Sequence, residues 1–165
     1  MQTLTLKAFV VCGMLLLGTA ANAQQVAPTP PLPPTTPYGP PITLEQAKKV
    51  ADGAMVEASK RNMKMAIAIV EPSGDLVYFQ RMDGTQYASI QIAQDKAKSA
   101  ALFRRSSKDF FDRTAKGDIS PFALRGAVAS AGGIPIVFDG KIIGAIGTSG
   151  GADDAISQAG ANVLK

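Results

Sequence analysis

Histidine is absent from all 165 residues, and the single cysteine, Cys12, falls inside an N-terminal segment expected to be removed. The lack of histidine takes away the commonest metal ligand and the usual general base near neutral pH. Without Cys12 the mature chain has no disulfide, no thiol nucleophile and no thiolate metal ligand. Zinc hydrolases, Ser-His-Asp triads and histidine-ligated haem within one chain are thereby excluded. Clustered basic charge is missing too. The formal net charge of +4, or +3 without Lys7, is spread along the chain, and no basic patch is interleaved with aromatics. That argues against nucleic acid as a partner. No phosphate loop is present and no GxGxxG opens a helix, so no nucleotide cofactor is expected.

Residues 1–23 read as a signal peptide: Lys7 is the positive n-region, residues 8–17 are an apolar core, and Ala21-Asn22-Ala23 is a cleavage site. The apolar run is shorter than the roughly 20 residues a membrane span needs, so no stable span is expected after cleavage. Residues 24–41 carry Pro28, Pro30, Pro31, Pro33, Pro34, Pro37, Pro40 and Pro41. Such a stretch favours polyproline II and reads as a linker or tether. Residues 42–165 then form one domain of ordinary single-core size. A periplasmic or secreted location follows.

Thr43 and Gln46 have the spacing of a capping box, and Leu44, Ala47, Val50, Ala51, Ala54 and Ala58 continue at helical intervals. Gly53 inside that helix costs about 1 kcal/mol against alanine, which points to close packing. Residues 65–71 and 76–82 read as two strands joined by a turn at Pro72-Ser73-Gly74-Asp75. A second helix spans residues 88–103. Its apolar stripe is Ile90, Ala93, Ala97, Ala100 and Ala101, with Asp95, Lys96, Lys98 and Ser99 on the other side. A short helix over 107–115, capped by Ser106, turns Phe110 or Phe111 inward.

Two apolar runs, residues 134–138 and 142–146, flank Asp139-Gly140, the dipeptide best suited to a two-residue hairpin turn. The second run ends in Gly147-Thr148-Ser149-Gly150-Gly151, and residues 153–164 form a last helix whose first aspartates suit its dipole. Helices alternating with antiparallel hairpins make the fold class α+β.

Several of these segments, in this order, resemble the GlcG/HbpS family. They are Leu44-Glu45-Gln46-Ala47, the 70–77 hairpin, Arg81-Met82-Asp83-Gly84, residues 93–101 with Lys96-Ala97, residues 132–151, and residues 154–160. The resemblance spans nearly all of residues 42–165. It implies a profilin-like antiparallel β-sheet flanked by α-helices, with a fifth strand beyond the four legible here. It also implies a homo-oligomer and, for some members, haem binding or haem breakdown.

Arg81 and Asp83 lie two apart at a strand end and so share a face if the strand continues. Arg81 can clamp a carboxylate or a haem propionate, or can pair with Asp83 to fix the strand end. Lys96 can reach a ligand anion or remain a solvated helical lysine. Thr148 and Ser149 sit where glycines expose amides able to hold an anion; they are ligand donors or simply turn and cap residues. The side chains able to ligate haem iron are Met55, Met63, Met65, Met82, Tyr38, Tyr78 and Tyr87, and Tyr87, entering the second helix, is the candidate to test.

Three readings result. The first is an exported, oligomeric small-ligand-binding protein that takes haem, as scavenger, carrier or sensor accessory. The second is an enzyme or enzyme subunit acting on a small carboxylate through Arg81, Lys96 and Asp83. The third is a structural assembly unit.

Overall fold

The computed structural model describes residues 36–165. The expected signal peptide and residues 24–35 of the proline-rich segment lie outside the described residues. Helix α1 (Leu44–Lys60) starts at the expected capping box: the Thr43 amide donates to Gln46 Oε1 at 3.0 Å, and the Gln46 amide donates to Thr43 Oγ1 at 3.2 Å. Two donors that a bare helix end leaves unpaired are thus satisfied. Strands β1 (Ala66–Val70) and β2 (Leu76–Arg81) follow, then α2 (Ser89–Phe103) and α3 (Ser107–Ala115). A 3-10 turn at Ser120–Ala123 leads to β3 (Gly133–Phe138), β4 (Lys141–Ser149) and α4 (Asp153–Ala161). Of the two phenylalanines in α3, Phe110 is the one turned inward, while Phe111 stays exposed.

The four strands form one antiparallel sheet in the order β2-β1-β4-β3. At the β3–β4 turn Asp139 and Gly140 both take positive φ, 49° and 70°, as the dipeptide demands. The described residues hold no fifth strand. Instead the end of the proline-rich segment runs along the start of β4, beyond the end of β1. Tyr38 bridges to Ile142 in parallel, the Ile142 amide donates to the Pro37 carbonyl, and the Gly39 amide donates to the Ile142 carbonyl.

Helix α2 covers one face of the sheet; α1 and α4 cover the other. All five residues of β1 are buried, and the two faces divide them by size. Ile67 and Ile69 join the core with α1, while Ala66, Ala68 and the smaller branched Val70 join the alanines of α2. Each isoleucine removed from water contributes about 1.5–3 kcal/mol. The alanine face works by proximity. A Cβ on Gly147 would fall 2.5 Å from the Ala97 nitrogen, and one on Gly133 would strike the Lys96 carbonyl. Only small residues allow α2 to lie that close. On the other face Gly53 meets Val163 and Gly160, which explains a glycine inside α1.

β4 runs three residues further than its apolar run suggests. Gly147, Thr148 and Ser149 pair with Ala68, Ile67 and Ala66 of β1, so both hydroxyl residues belong to a buried strand. The exit turn proper is Gly150-Gly151-Ala152.

Candidate functional site

One end of the sheet gathers most of the residues singled out in the sequence. Here β2 and β4 finish while α2 and α4 begin. Arg81, Ala66 and Ser149 are register partners in one row across the sheet. Ser149 Oγ donates to Ser89 Oγ, 3.0 Å away at the first turn of α2, and both side chains are buried. Just before that turn Tyr87 is 81% exposed, with the Arg81 guanidinium carbon 5.3 Å from its ring centroid. A cation over an aromatic face contributes about 0.5–1 kcal/mol at such an exposed site. Asp83 lies exposed in the turn that follows, and no ion pair joins it to Arg81. The guanidinium is therefore held by a ring face and retains its donors for a ligand.

Lys96 departs from the sequence reading. The structure buries it, at 2% exposure, on the sheet-facing side of α2. Its Nζ donates to Asp153 Oδ2 at 2.6 Å and to the Thr148 carbonyl at 3.2 Å. The physical reason lies in the helical repeat: Ser89, Ala93, Lys96 and Ala100 form one continuous stripe, and all are buried. Ser99 is buried as well, accepting from the Val128 amide at 3.0 Å.

The glycine turn does hold an anion, and the anion belongs to the chain. Asp153 Oδ1 accepts from the amides of Gly150 at 2.9 Å and Gly151 at 2.8 Å. Thr148 Oγ1 donates to the Asp153 carbonyl at 2.7 Å, and the Thr148 amide donates to the Gly132 carbonyl at 3.0 Å. Lys96, Thr148 and Asp153 thus tie the end of β4 to the starts of α2 and α4. Asp153 was read in the sequence only as a dipole partner. Its role as the lysine's counter-ion had no local signal, because 57 residues separate the two.

Beside this network Asp154 is half-buried. Burial pushes its carboxyl above the usual carboxylate range, against the pull of Lys108 and the Gly132 amide. Asp112 and Asp109 add to the upward shift, and Asp154 Oδ1 is buried without a hydrogen-bond partner. Far from this end, Asp118 is held down at about 2 by hydrogen bonds from Ser120 and then Arg113. Among the described residues no group of three or more acidic, histidine or cysteine side chains is placed to hold a metal ion.

The arrangement therefore divides in two. Arg81, Asp83 and Tyr87 form an exposed surface; Ser149, Thr148 and Lys96 form a buried frame behind it. The family model described as "Haem degrading protein HbpS-like" matches residues 42–162. The chain belongs to the HbpS-like family. Within reach of that family, Protein GlcG of Escherichia coli strain K12 is 35% identical over 108 residues, covering 66% of this chain and 81% of GlcG. HbpS of Streptomyces reticuli, solved as a double mutant, is 28% identical with a TM-score of 0.69, covering 78% of this chain and 90% of that one. A PduOC–haem complex superposes with a TM-score of 0.65 at 21% identity, over 75% of this chain and 93% of that one. The antiparallel sheet flanked by helices is thus the fold of this HbpS-like chain and of its solved neighbours.

Proposed function

We propose that the protein is an exported, oligomeric small-ligand-binding protein that takes up haem at the end of the sheet bearing Arg81 and Tyr87. One observation carries the reading: an exposed guanidinium that pairs with no carboxylate among the described residues and lies against an exposed tyrosine ring. Membership of the HbpS-like family and the haem complex of a structural neighbour support haem as the ligand.

The residues present suit an open-faced mode of binding. Arg81 offers a bidentate clamp for a propionate. Tyr87 offers a phenol oxygen, an iron ligand that needs neither histidine nor cysteine. Asp83 lies close enough in sequence to bias which carboxylates approach. Ser149 contributes through Ser89, by fixing the first turn of α2, just after Tyr87. Lys96 and Thr148 hold the frame and take no direct part in binding, since both are buried in bonds to their own chain. Once bound, haem supplies an iron centre able to exchange electrons.

The test is a hemin titration of the protein without a histidine tag, since a tag adds the ligand type this chain lacks. A sharpened Soret band saturating at one equivalent per chain supports the proposal. A broad spectrum equal to that of hemin in buffer overturns it. Turnover of a small carboxylate, lost in Arg81→Ala, would then mark the second reading as the correct one.

A further inference from the structure

Two exposed apolar surfaces, a knob and a groove, lie on opposite faces of the sheet. The knob is the 3-10 turn Ser120–Ala123 with the residue before it. Ile119 is 76% exposed and Phe122 is 73% exposed. The Phe122 amide donates to the Ile119 carbonyl at 3.1 Å, and side chains three apart in such a turn stand side by side. The turn is held firmly: Pro121 is buried, the Ser120 amide donates to Asp118 Oδ1 at 2.9 Å, and Arg113 Nη2 donates to Ser120 Oγ at 2.6 Å. Its exit runs along α2, where a Cβ on Gly126 would lie 4.0 Å from Leu102 Cδ1. The groove, of about 630 Å³, is lined by Val137, Phe138, Asp139, Gly140, Leu164 and Lys165. Leu164 belongs to the 3-10 turn that follows α4, so the groove lies on the α4 face. Charge agrees with shape. Arg125, three residues beyond Phe122, and Asp139, at the groove, have no ion-pair partner among the described residues.

We propose that Ile119 and Phe122 of one copy seat in the groove of a second copy, with Arg125 against Asp139. This names the surfaces that join the oligomer of the function proposed above, and it rests on that reading. The contact is head-to-tail: it uses different patches on the two copies, so each end keeps a free knob or a free groove until a ring closes. A phenylalanine ring buries about 150–250 Å², and aromatic residues are enriched at interface cores. One such contact is small beside the roughly 800 Å² per partner of a standard interface. Closure, which gives every copy two contacts, is what makes the assembly stable. The groove sits at the β3–β4 turn, the end of β4 away from Ser149, so assembly and haem uptake can be read separately.

The test uses the untagged protein. Light scattering is expected to show one closed multimer for the wild type. Phe122→Asp and Phe138→Asp each lower the mass to that of a single chain, while an unchanged circular dichroism spectrum shows both variants folded. A bismaleimide then reads the contact in chains carrying Cys12→Ser, which leaves no native thiol. With Ala123→Cys and Lys165→Cys together it is expected to give a ladder of linked chains, and with either alone it gives none. A multimer that persists in either aspartate variant, or dimers linked through Ala123→Cys alone, overturns the knob-in-groove contact and leaves the oligomeric reading standing. A monomeric wild type overturns both.

Discussion

Lys96 is the one buried cation among the described residues, and its two bonds tie α2 to the end of β4 and the start of α4. Removing its ammonium would leave Asp153 with two backbone amides and no counter-ion. Breaking a fully buried pair costs about 3–5 kcal/mol, and the partial exposure of Asp153 places this one at the lower end. Lys96→Ala should therefore lose that much stability in urea unfolding, and a loss below about 1 kcal/mol would show the pair to be dispensable. Arg81 stands at the other extreme. It is exposed and held only by a ring face, so Arg81→Ala should leave the melting temperature within about 2 °C of wild type, as surface changes usually do. Asp154 provides a pH test. Its folded-state pKa lies above the unfolded value, so the folded chain favours the protonated carboxyl. That contribution is complete at low pH and is lost as pH rises through the carboxylate range to the folded value. Asp154→Asn should then raise the melting temperature at neutral pH, and the gain should vanish below about pH 4. An Asn variant less stable than wild type at neutral pH would contradict the assignment.

Among the elements, the close seating of α2 on the sheet decides where both halves of the site lie. Gly147→Ala drives a methyl group toward the Ala93 carbonyl and the Ala97 backbone. Overpacking of this kind costs about 1–3 kcal/mol, and the backbone contacts here place it at the upper end. Thermal unfolding of that variant checks the claim; an unchanged melting temperature would mean that α2 can shift without cost. Much of this was legible in the sequence. The Thr43–Gln46 box, the Asp139-Gly140 turn and the Ser106 cap each depend on residues a few positions apart; Gly53 signalled close packing but not its partners, Val163 and Gly160. What escaped depended on partners far along the chain. Lys96 looked ligand-facing or solvated because its counter-ion is 57 residues away, although its place three after Ala93 and four before Ala100 put it on the buried stripe. Thr148 and Ser149 looked like loop residues because glycine usually ends a strand; here Gly147 continues β4 by letting α2 approach.

At the scale of the whole molecule, two helical layers enclose a four-stranded sheet and leave one end where an exposed cation and aromatic meet. The chain shares its fold with the HbpS-like family, and with no histidine any iron it took up would need another ligand. Arg81, with the Tyr87 ring against its guanidinium, is the feature on which the proposed function rests. The decisive measurement is a Soret titration of untagged wild type and Arg81→Ala side by side. The account predicts saturation at one hemin per chain for the wild type and at least tenfold weaker uptake by the folded variant. Equal titration curves for the two proteins, or no saturable band in either, would contradict it.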